Sequence, residues 1–73
     1  MKTDKQLKNR IMIGDHIKRA RESANMSQTE LAEAVKTTQA MIHRYEWGEQ
    51  EPTISRLIAI AEALNIKPSK LLE

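Results

Sequence analysis

Seventy-three residues without a cysteine make one small domain at most, held by an apolar core rather than by disulfides or thiolate-bound metal. A chain of this size buries only about 60% of its unfolded surface, so a stability of about 4–11 kcal/mol is expected. No apolar run reaches membrane length, and the polar stretch after Met1 lacks a signal-peptide core, so a cytoplasmic, reduced compartment is expected. The net charge of +2 is unevenly spread: residues 1–21 carry seven basic and two acidic side chains, whereas the other 52 carry five basic and eight acidic. A polyanion would feel its strongest pull from the first third of the chain, although a solvated amphipathic helix explains the same charges.

The abundance of Ala, Leu, Glu and Lys, with two prolines and no Phe, predicts an all-α fold of five helices. Residues 1–12 read as a basic arm, flexible or partly helical, ahead of a domain over 13–73. Thr3-Asp4-Lys5-Gln6 can cap a helical turn, but Leu7 and Ile11 point roughly 120–140° away from the stripe that follows. Either the chain breaks near Gly14, or Leu7 and Ile11 form a second surface for a partner; a frayed arm is the simpler reading. The first helix is expected over 13–24, with Ile13, Ile17, Ala20 and Ala24 inward and Asn25 as its stop.

Ser27-Gln28-Thr29-Glu30 is a capping box and opens a second helix running to Val35, with Leu31, Ala32 and Val35 buried. Only Lys36 and Thr37 separate it from a third helix, capped by Thr38 and ending near Trp47 with Gly48 beyond it. After the acidic loop Glu49-Gln50-Glu51-Pro52, Thr53 caps a fourth helix whose stripe is Ile54, Leu57, Ile58, Ala61 and Leu64. Asn65 ends it. A short fifth helix has Pro68 in its first turn and turns Leu71 and Leu72 to the core.

The run Ser27 to Ala32, then Ile42, Glu46, Gly48 and Pro52, and finally Ile60-Ala61 with Leu64, resembles the Cro/repressor-type (xenobiotic-response-element-like) helix-turn-helix family over about residues 13–73. On a wheel of the third helix Gln39, Ala40, His43, Arg44 and Trp47 fall within an arc of about 140°, opposite Met41, Ile42 and Tyr45. Gln can bond adenine in a bidentate way, Arg can do so to guanine, and an Ala methyl suits a thymine methyl. The resemblance implies base contacts from Gln39, Ala40 and Arg44, with His43 facing the groove. It also implies a backbone contact from Gln28, at the start of the second helix. Lys36, Thr38, Thr53, Lys18 and Arg19 are further candidates for phosphate; Trp47 packs on sugar-phosphate, the loop or a second subunit. Arg21 and Glu46 are expected, by the same resemblance, to form a salt bridge that orients the third helix.

The implied partner is double-stranded DNA carrying a palindromic operator, bound by a homodimer that regulates transcription, most simply as a repressor. The rival is a protein-binding module on the same fold, such as the antitoxin of a toxin pair. Catalysis and cofactors find no support: His16 and His43 lack ligands at metal spacing, and adjacent helical residues such as His43 to Glu46 diverge by about 100° each. Two positions depart from the family pattern. Lys36 stands where the turn usually has Gly, and the loop after the third helix is acidic rather than basic.

Overall fold

The capping residues at Ser27, Thr38 and Thr53 each open a helix in the computed structural model, which describes residues 4–73. The elements are α1 (Asp4–Ser23), α2 (Gln28–Ala34), α3 (Gln39–Glu46) and α4 (Ile54–Ala63), closed by a 3₁₀ turn (Pro68–Leu71). The fold therefore has four α-helices rather than the expected five. Pro68 lacks an N–H, Lys67 makes no side-chain cap, and only four residues remain before the final turn, so the tighter 3₁₀ form wins.

All four helices end in the same way. Asn25, Lys36, Gly48 and Asn65 take positive φ, and the next residue's N–H reaches back to Arg21, Ala32, Arg44 and Ala61, respectively, at 2.9–3.1 Å. This is the Schellman arrangement, which satisfies carbonyls that a helix end otherwise leaves bare. Asn and Gly tolerate that conformation; Lys36 does so at a cost of about 1 kcal/mol. Arg56 Nη1, from α4, donates to Val35 O beside the same turn and ties α4 to the end of α2.

The largest difference from expectation lies in α1, which begins at Asp4 and runs unbroken through Gly14. The proposed cap at Thr3 lies outside the described residues. Gly14 does not break the helix; it lets α3 approach. A Cβ there would stand 2.7 Å from Glu46 O and still closer to Tyr45 O, so no larger residue fits between the two backbones. Gly48 is approached in turn by the Ile11 backbone and side chain.

The core comprises Ile13 and Ile17 of α1, Leu31, Ala32 and Val35 around α2, Ile42 and Tyr45 of α3, Leu57, Ile60, Ala61 and Leu64 around α4, and Leu71. Four expected core positions are exposed instead: Ala24, Ile54, Ile58 and Leu72. Ile60 is the buried residue of α4 that the expected stripe left out. His16 Nδ1 meets Leu71 O at 3.0 Å and fastens the closing turn to α1.

Candidate nucleic-acid interface

The third helix is divided sharply between two environments. Ile42, Tyr45 and Glu46 are buried and Met41 is half-buried, whereas Gln39, Ala40, His43, Arg44 and Trp47 are all exposed on one side. Helical geometry alone brings these five side chains together, because residues three and four apart share a face. The His43 and Trp47 rings lie 5.6 Å apart, tilted against each other at the C-terminal end of that face.

Beneath it sits a buried ion pair. Arg21 Nε donates to Glu46 Oε2 at 2.6 Å and Nη2 to Oε1 at 3.1 Å, while Nη1 donates to Met26 O at 2.7 Å. The side chains are 12% and 1% exposed, respectively. The hydrogen bonds that Arg21 donates to Glu46, with the carboxylate's charge, hold the Arg21 guanidinium above its ordinary pKa despite the opposing effect of burial.

The pair extends outwards. Gln28 Nε2 donates to Glu46 Oε1 at 3.0 Å, and Gln39 Nε2 donates to Gln28 Oε1 at 2.5 Å. The polarity of this relay is forced, because an ionised carboxylate only accepts. Gln28 must therefore turn its N–H to Glu46 and its oxygen to Gln39. Gln39 in turn spends one N–H inwards and presents its carbonyl oxygen and second N–H to the outside. A run of three hydrogen-bonded side chains thus carries the orientation of a buried charge to the exposed start of α3.

The other expected site residues fall as follows. Gln28 is a link in the relay and has one N–H left for a phosphate. Thr38 Oγ1 accepts from Met41 N at 3.2 Å and Thr53 Oγ1 from Arg56 N at 3.1 Å, so both serve as caps. As hydroxyls they keep a proton to donate. Lys36 is exposed in the turn between α2 and α3. Arg19 pairs with Asp15 at 2.9 Å on its own helix. Lys18 lies with Ile11, Asp15, Glu46 and Trp47 around a shallow groove at the opposite end of α3 from Gln39. The acidic loop residues Glu49 and Glu51 are exposed.

Two features escaped the sequence reading. The Gln28–Gln39 bond joins side chains eleven residues apart on different helices, and no periodicity encodes it. The tight seat of α3 on Gly14 did have a signal, an isolated glycine inside a helix-forming run.

Comparison with known proteins adds the following. Residues 17–71 match the helix-turn-helix family model HTH_3. An uncharacterised HTH-type transcriptional regulator of Sinorhizobium fredii, y4wC, is 39% identical over 61 residues, covering 84% of this chain and 43% of its own length. The HTH-type transcriptional regulator DicA of Escherichia coli is 31% identical, over 85% of this chain and 46% of its own. The chain thus spans less than half the length of these relatives. Among solved structures, the P22 c2 repressor in complex with a synthetic operator superposes with a TM-score of 0.78 and 30% identity, over 84% of this chain and 92% of that one. The restriction-modification controller protein C.AhdI of Aeromonas hydrophila shares the fold at a TM-score of 0.84, with 22% identity over 88% and 97% of the two chains.

Proposed function

The chain belongs to the helix-turn-helix family of transcriptional regulators, and from that premise we propose that it binds duplex DNA sequence-specifically, with α3 in the major groove. The observation that carries this reading is the forced polarity of the Gln28–Gln39 relay at the head of an outward-facing helix. Gln39 offers one acceptor and one donor, which match the N6 donor and N7 acceptor of adenine. Guanine presents two acceptors along that edge, so it would set an oxygen against the Gln39 oxygen. Arg44, one turn on, supplies the donor pair that guanine does suit; Ala40 lies between them against a thymine methyl, and His43 flanks the groove.

Backbone positioning falls to the second N–H of Gln28, the Thr38 hydroxyl and the Lys36 ammonium, all around the N-terminal end of α3. Glu49 and Glu51 repel phosphate, so the loop after α3 tilts away from the duplex. One module of this size buries roughly 600–1,000 Å² on DNA and reads half a site, so useful specificity takes a homodimer on a palindrome about one helical turn across. Such a dimer in the cytoplasm would repress by covering the promoter. The relatives are named as transcriptional regulators, which favours DNA over a toxin-like protein as the first ligand of this face.

Selection from a random duplex library by the purified chain, at about 0.15 M salt, tests the reading. The expected product is a family of symmetric sites with a fixed adenine and guanine in each half. A pool with no enriched sequence after repeated rounds contradicts it.

A further inference from the structure

Lys36 is the odd member among the four helix ends. Asn25, Gly48 and Asn65 hold positive φ with residue types that tolerate it, whereas Lys36, at φ 60°, is neither glycine nor a short polar residue. The turn's own bonding does not make up the difference. Lys36 N donates to Glu33 O at 3.3 Å, against 3.0, 3.2 and 3.1 Å for the matching bonds from Asn25, Gly48 and Asn65. The end with the least tolerant residue thus has the longest closing bond. In addition, α2 is only seven residues long and has no base in its last turn to meet its C-terminal carbonyls.

What this end has instead is Arg56. Its backbone N donates to the Thr53 cap in the first turn of α4, and its half-buried side chain crosses to α2, where Nη1 donates to Val35 O. Among the described residues no side chain grips the equivalent carbonyl, that of Ala24, Trp47 or Leu64, at the other three ends; the remaining side chain-to-carbonyl bonds go to Met26 and Leu71. Val35 O and Lys36 N belong to one rigid peptide plane. The next plane is held by Thr37 N, which donates to Ala32 O at 2.9 Å. With both planes fixed, the two dihedrals of Lys36 between them are fixed as well. A move of Lys36 to negative φ has to turn one plane and break one of these bonds.

We propose that Arg56 is a positioning residue for recognition: by gripping Val35 O it keeps Lys36 in the left-handed conformation and so sets the direction in which α3 leaves α2. The consequence reaches the outward face because α3 is capped at Thr38, two residues later, and the Gln28–Gln39 bond spans the two helices. A rotation at Lys36 carries Gln39 away from Gln28 and frees its amide. Arg56 acts without touching a base. The effect on base preference rests on the DNA reading above; the effect on the fold does not.

A double-mutant cycle between Arg56→Ala and Lys36→Gly separates this role from a plain tie between helices. Glycine takes positive φ without strain, so the Lys36→Gly chain has little need of the grip. Two quantities are read for the four chains: urea unfolding, and the affinity ratio between the selected operator and its copy with guanine in place of the adenine facing Gln39. Arg56→Ala should raise the unfolding constant about tenfold and cut the adenine preference about fivefold in the wild-type background. In the Lys36→Gly background the same change should raise the unfolding constant about threefold and leave the preference within about twofold. Arg56→Lys, which keeps a charged donor, should recover most of the preference and provides a folded comparison if Arg56→Ala melts too readily. The proposal is overturned if the two substitutions are additive in unfolding, because Arg56 is then indifferent to the conformation of Lys36. It is equally overturned if Arg56→Ala weakens operator and scrambled duplex alike with a shallower salt dependence, the mark of a phosphate contact. If selection yields no operator, the DNA reading fails, and the unfolding cycle alone decides the role of Arg56.

Discussion

The two faces of α3 obey different rules although they alternate residue by residue. On the inward face every group is spoken for: Ile42 and Tyr45 lie in the core, Glu46 is held by Arg21 and Gln28, and the backbone at Tyr45 and Glu46 presses on Gly14. On the outward face, among the described residues, Gln39 alone has a side-chain hydrogen bond, and that bond fixes its direction. The inward face determines whether the domain folds; the outward face determines what it recognises. Substitutions should therefore separate cleanly into those that change melting and those that change binding.

The largest effects belong inside. Arg21→Ala leaves Glu46 buried without its counter-ion and should cost about 3–5 kcal/mol, a large share of the stability of so small a domain. Urea unfolding at neutral pH measures it, and wild-type stability would show that the pair is idle. Gly14→Ala should cost about 3 kcal/mol, because the new methyl meets backbone rather than a side chain that can move. An unchanged melting temperature would mean that α1 and α3 sit further apart.

Gln28→Ala sits on the boundary between the faces and sharpens the contrast. It removes one hydrogen bond from Glu46, worth about 1 kcal/mol of stability. It also frees the Gln39 amide to turn over, so discrimination between adenine and guanine at the Gln39 position should fall about tenfold, as binding to the two duplexes will show. Lys36→Gly lies furthest from either face. It relieves the positive φ and should stabilise the domain by up to about 1 kcal/mol while leaving the base preference unaltered.

Much of this architecture could be read from residue types. The capping box at Ser27, the caps at Thr38 and Thr53 and the stops at Asn25, Gly48 and Asn65 act locally, so sequence reports them faithfully. The outward arc of α3 follows from 3.6-residue periodicity for the same reason. Periodicity fails where burial is partial. Leu7 and Ile11 are helical yet face away from the core, so a reading that equates helix with inward stripe starts α1 nine residues too late. The apolar character and spacing of Ile54 and Ile58 predict burial, but α4 presses its Leu57, Ile60 and Ala61 side inwards instead. The Arg21–Glu46 pair was reachable only through family resemblance, and its extension through Gln28 to Gln39 is a tertiary arrangement that no single helix encodes.

The most direct test of the outward face combines Gln39→Ala with Arg44→Ala and compares binding to the selected operator and to a scrambled duplex at the same salt. Each lost base contact should remove about 1–3 kcal/mol, so the ratio of specific to non-specific affinity should fall by about 10²–10⁴ while thermal unfolding stays within about 0.5 kcal/mol of wild type. A double variant that still prefers the operator as strongly as wild type would show that α3 does not read the bases.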